Sequence, residues 1–127
     1  MKQVERVLVI DDDINFVFLT KRLLSSVGIG KQVEIAYNGA QGLTHIREAA
    51  SQGRLPQLIL LDIKMPLMDG FTFMEELVKL NMNLTDTRIV LLSSSQSPWD
   101  REKAAKSPAA AFLHKPLTKD KLRSIMA

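Results

Sequence analysis

Side chains that could do chemistry together stand at the ends of four short apolar runs: Asp11, Asp12 and Asp13 after the first, Asp62, then Ser93, Ser94 and Ser95, and Lys115 just beyond the last. Crowded carboxylates repel and raise one another's pKa, and a hard divalent cation relieves that repulsion. Oxygen donors with room for water suit Mg²⁺ better than zinc. A lysine beside such a centre suits a phosphoryl group, because cations at its oxygens stabilise charge during transfer. Taken singly, each feature has a plainer reading. Asp13 reads as a helix cap, Ser93-Ser94-Ser95 as a loop, and Lys115-Pro116 as a loop ahead of Thr118, itself a plausible cap. Their recurrence at four run ends is what points to a site.

The elements that would position them follow from the apolar pattern. Val7–Ile10, Leu58–Leu61 and Ile89–Leu92 are continuous apolar runs, as strands covered on both faces require. Val33–Ala36 alternates and reads as a strand nearer an edge, and Ala111–Leu113 is a weaker fifth. Helical spacing fills the gaps. Ile14–Val27 carries an apolar stripe including Val17, Phe18 and Leu24, stopped by Gly28. Ala40, Leu43 and Ile46 mark a second helix; Phe71, Met74, Leu77 and Val78 mark a third, after Gly70. Ser97-Pro98 opens a fourth, running through Lys106, with Asp100 placed to complete a capping box. Its few apolar residues predict the least firm packing. Leu122, Ile125 and Met126 give a last helix, to Ala127, one apolar face. Alternating strands and helices predict a doubly wound α/β fold with a five-stranded parallel sheet. Ligands of such sheets sit beyond the carboxyl ends of the strands.

At 127 residues, one domain spanning 1–127 is expected. The absence of cysteine excludes disulfides, thiolate metal sites and cysteine nucleophiles. The formal charge of +3 is scattered, with only a loose group at Lys115, Lys119, Lys121 and Arg123, so no nucleic-acid face is expected. Met1–Arg6 lacks a signal-peptide run, and no apolar stretch is long enough to span a membrane; a cytoplasmic protein is expected. His45 and His114 read as structural, and Trp99 as either a docking residue or a partly packed ring.

The motifs Val7–Asp13, Leu58–Gly70, Ile89–Ser93 and Phe112–Pro116 together resemble the receiver domain of bacterial two-component response regulators. The likeness covers essentially the whole chain, and Asp62-Ile63-Lys64-Met65-Pro66 with Met68-Asp69-Gly70 is its most specific part. It implies a flavodoxin-like strand order of 2-1-3-4-5 and a phosphorylation switch that is not an enzyme beyond its own phosphorylation and dephosphorylation. It further implies Asp62 as phosphoacceptor, and Mg²⁺ held by Asp12, Asp62 and the Lys64 carbonyl, with Asp11 acting through water. By the same likeness Ser93 is the switch hydroxyl, Lys115 the lysine that pairs with the phosphoryl group, Phe112 the aromatic switch, and Pro116 the proline after a cis bond. The implied partners are a sensor histidine kinase or histidine phosphotransfer protein, a downstream protein target and a possible homodimer.

This chain departs from the family's pattern at Ser94, where alanine or glycine is usual, and at Pro108, where glycine is common. Two other readings use the same residues. A haloacid-dehalogenase-type phosphatase would take Asp11 in Asp11-Asp12-Asp13 as nucleophile, but Asp120 alone follows Lys115 to supply its further acidic motif. A degenerate receiver acting only through contacts would lack one of the site groups, and all are present. Nucleotide binding has no glycine-rich phosphate loop to support it.

Overall fold

The computed structural model describes residues 4–95 and 97–126. The readings of Met1–Gln3 and of Ala127 lie outside these residues. Strands and helices alternate in the order β1 (Arg6–Ile10), α1 (Ile14–Ser26), β2 (Gln32–Ala36), α2 (Gly39–Ser51), β3 (Leu58–Asp62), α3 (Gly70–Lys79), β4 (Arg88–Ser93), α4 (Pro98–Ala105), β5 (Ala111–His114) and α5 (Lys119–Met126). All strand pairs are parallel and the sheet order is β2-β1-β3-β4-β5, the flavodoxin-like order.

The two-residue period of a strand divides the core in two. Leu8, Ile10, Ile59, Leu61, Ile89 and Leu91 face one way and pack against Leu43 and Ile46 of α2, Phe73 and Leu77 of α3 and Ala104 of α4. Val7, Val9, Leu58, Leu60, Val90 and Leu92 face the other way and meet Val17 and Leu24 of α1 and Leu122 and Ile125 of α5. Both faces of the central strands are thus covered, which explains their unbroken apolar sequences. β2 and β5 are the edges, and each is less buried than the strands it pairs with.

Helix boundaries follow local chemistry. Asp13, Asn38 and Asp69 cap α1, α2 and α3, each accepting a backbone N–H three residues on. Gly28 takes φ +72°, a left-handed turn that ends α1 at little cost to a residue without Cβ. The capping box expected at α4 does not form. Ser97 Oγ accepts from Trp99 N–H, and Asp100 points inward with a buried carboxylate oxygen that has no partner among the described residues. Phe18 and Val78 were expected on apolar stripes and are instead 59% and 61% exposed. The buried face of α1 is Val17, Thr20 and Leu24. Phe18, one residue and about 100° further round than Val17, lies outside it and carries the Arg22 guanidinium over its ring at 5.8 Å. As expected, α4 is weakly held: of its residues only Ala104 is buried.

Candidate functional site

Parallel pairing gathers the strand ends on one rim. Ile10 pairs with Leu61, so Asp11 and Asp62 follow side by side. Asp62 pairs with Leu92, which puts Ser93 one step further along the neighbouring strand. Ser93 pairs with His114, and the Lys115 N–H donates to the Ser93 carbonyl at 2.8 Å. The close approach of β3 and α3 depends on Gly70, because a Cβ there would lie 2.7 Å from the Asp62 carbonyl oxygen. The sequence offers that glycine only as part of a motif; its steric reason appears with the fold.

Lys115 is the centre of the arrangement. Its ammonium donates to Asp11 Oδ2 at 2.8 Å and lies 3.4 Å from Asp62 Oδ1. The Phe16 ring covers it, with the centroid 4.0 Å from Nζ. Asp11 also accepts the Asp13 N–H at 2.9 Å. Asp11 and Asp62 are 1% and 6% exposed, whereas Asp12 is open to solvent. Burial, then the Asp11 charge, pushes the Asp62 carboxyl up to about 6, against the pull of Lys115. For Lys115, burial works downward, but the hydrogen bond and charge of Asp11, with the Asp62 charge, outweigh it and leave the amine above its ordinary value.

Oxygen atoms of Asp11, Asp12 and Asp62 lie within 4.8 Å of one another. Three carboxylates and one ammonium leave excess negative charge at the rim, which adds to the burial that raises Asp62. An oxygen-only donor set with one open side fits a hard divalent cation such as Mg²⁺. The acidic pocket could hold such an ion.

The remaining expected residues divide by face. Ser93 is 2% exposed, and its Oγ accepts the Ser95 N–H at 3.0 Å. It shares strand parity with Ile89 and Leu91, hence the side of the sheet where Phe112 packs against the core that includes Ala104 of α4. Phe112 is half-buried and meets the His114 ring edge-on at 5.2 Å. Lys64 sits in the loop after β3 with its side chain exposed. The Lys115–Pro116 bond is cis. Trp99 is 78% exposed, so the partly packed reading of its ring does not hold. His114 Nε2 faces Arg101 at 3.2 Å. Phe16 is the site residue that sequence reasoning missed. Its place in the first turn of α1 carries no chemical signal until β5 is laid beside it.

The chain matches the response regulator receiver domain family over residues 7–127. It belongs to that family. The receiver domain is 35% identical over 126 residues to the two-component response regulator ORR41 of Oryza sativa subsp. japonica, covering 99% of this chain and 94% of that one. It is 34% identical over 117 residues to the transcriptional regulatory protein ZraR of Klebsiella oxytoca, covering 92% of this chain but only 24% of ZraR's length. Among solved structures, a two-component response regulator from Cytophaga hutchinsonii superposes with a TM-score of 0.88 at 28% identity, covering 98% of this chain and 96% of that one. A receiver domain of this family is a phosphorylation-dependent signalling switch and not, in general, a catalyst. Membership leaves no observation that favours the phosphatase reading of Asp11. No helix among the described residues is long and apolar enough to cross a membrane.

Proposed function

We propose that this receiver domain switches by accepting a phosphoryl group on Asp62 from a sensor histidine kinase or a histidine phosphotransfer protein, with Mg²⁺ as cofactor. The observation that carries the reading is Lys115 held between Asp11 and Asp62, at 2.8 and 3.4 Å, on the rim where the strands end. With its pKa near 6, Asp62 is ionised at neutral pH and more basic than an ordinary aspartate, which suits a nucleophile.

In this reading an Asp62 oxygen attacks phosphorus in line. The bond from phosphorus to the donor's imidazole nitrogen breaks, and its electron pair leaves with the imidazole. The product is a mixed anhydride on Asp62. Lys115 releases Asp62 and donates instead to a phosphoryl oxygen. Asp12, Asp62 and the Lys64 carbonyl would hold Mg²⁺ directly, and Asp11 through water. Bound there, the ion supplies positive charge against the transferring oxygens. The Ser93 hydroxyl, which accepts the Ser95 N–H, turns to donate its own hydrogen to a phosphoryl oxygen. That pulls the loop leading to α4, and Phe112 follows on the same side of the sheet. The weak packing of α4 suits an element biased between two states. The face formed by α4, β5 and α5 is then read by a downstream protein, or by a second copy of the chain. A single receiver unit over residues 1–127, working in the cytoplasm, completes the proposal.

The test is intact mass after incubation with acetyl phosphate, with and without Mg²⁺, beside Asp62→Asn. A Mg²⁺-dependent gain of one phosphoryl group, lost in the variant, is expected. A gain that persists in Asp62→Asn would move the acceptor elsewhere. No gain in the wild type from acetyl phosphate or from a phosphorylated histidine phosphotransfer protein would reduce the domain to an interaction module.

A further inference from the structure

We infer that Phe16 is a positioning residue for phosphoryl transfer, acting through Lys115. The inference rests on the proposed acceptor role of Asp62. Lys115 is a long, flexible side chain with three donors, and two carboxylates do not by themselves fix where its amine sits. The third side is closed by the Phe16 ring, whose centroid is 4.0 Å from Nζ. An ammonium over an aromatic face is attracted by the ring's negative quadrupole, more strongly where water is scarce. Here water is scarce, since the Lys115 side chain is 15% exposed.

The ring is itself held. Phe16 occupies the third position of α1, and its N–H donates to the Asp13 cap at 3.2 Å. It packs against the core beneath α1 and α5 and lines a groove with Leu19, Leu23, Pro116 and Leu117. Pro116 directly follows the lysine, so ring and amine are fixed from both sides of one seam. The ring therefore does two things for the proposed reaction. It keeps the amine aimed at the gap between Asp11 and Asp62, where a phosphoryl oxygen would lie, and it withholds water from the amine's far side. Without the ring, the amine would sample solvent and meet the transferring group less often in the productive place.

The test compares the wild type with Phe16→Leu, which keeps an apolar helix former, and Phe16→Tyr, which keeps the ring. Acetyl phosphate is the donor, being too small to dock on the outer face of α1. Phe16→Leu is expected to slow phosphorylation on the order of tenfold, and Phe16→Tyr to restore it. A second readout needs no phosphorylation: in NMR spectra the Lys115 ε-methylene protons should be shifted upfield by the ring current, a shift lost in Phe16→Leu and kept in Phe16→Tyr. Wild-type rates in Phe16→Leu, or equal slowing in both variants, would overturn the positioning role. Absence of the upfield shift in the wild type would overturn the contact. A wild type that takes up no phosphoryl group from any donor, yet shows the shift, would instead sink the acceptor assignment, and this role with it.

Discussion

Asp62 is held under opposing demands. Burial and the neighbouring Asp11 raise its pKa to about 6, while Lys115 restrains the rise. A carboxyl that binds its proton more tightly when folded makes the native state the better proton acceptor. Stability must then fall as pH climbs from the unfolded value of 3.8 to the folded value near 6, and stay low above it. Replacing the charge should remove the deficit. In EDTA at pH 7.5, Asp62→Asn is expected to be more stable than the wild type by on the order of 1–3 kcal/mol. Urea titrations should show the gap closing below pH 4. A gap unchanged between pH 4 and 7.5 would mean that the ionised carboxylate is not the strained form. The proposed acceptor is thus kept ionised at neutral pH at some expense to the fold.

At the scale of elements, α1 carries the clearest conflict between packing and polarity. Thr20 is fully buried, and its hydroxyl has no partner among the described residues. An unpaired buried hydroxyl costs stability, whereas a methyl in its place fits an apolar surrounding. Thr20→Val should therefore stabilise the domain by about 1 kcal/mol, measured as a higher urea midpoint with unchanged slope. A lower midpoint would mean that the hydroxyl has a partner. The strands were legible in the sequence because continuous apolar runs and the acids ending them are local signals. Helix faces were less so. Phe18 and Val78 are apolar and near the buried stripe, yet a helix turns about 100° per residue, and a neighbour on the stripe's edge can face solvent. Asp100 matched a capping box by spacing, but the carboxylate turned inward. The rim itself was readable, because parallel topology places every strand's last residue at one end. Contacts across the rim were not: Phe16 meets Lys115 only because α1 and the end of β5 are neighbours in space, nearly the whole chain apart in sequence.

For the whole molecule, the acidic rim predicts a ligand-linked gain in stability. Mg²⁺ at ten times its dissociation constant should add about 1.4 kcal/mol, seen as a rise in Tm that equal ionic strength of KCl does not reproduce. Asp12→Asn should lose most of the rise. A rise of equal size in that variant would place the ion elsewhere. The sheet also separates two tasks by its thickness. Asp62 shares strand parity with Leu58 and Leu60, on the α1 and α5 side, where Phe16 covers Lys115. Phe112 packs on the α2, α3 and α4 side, the side that Ser93 shares by strand parity with Ile89 and Leu91. One layer of backbone thus stands between the proposed reagents and the proposed transmitter, joined only at the rim. Such a partition gives the scaffold modular wiring: α4 can be rewritten for a new listener while the reaction behind the sheet keeps its timing.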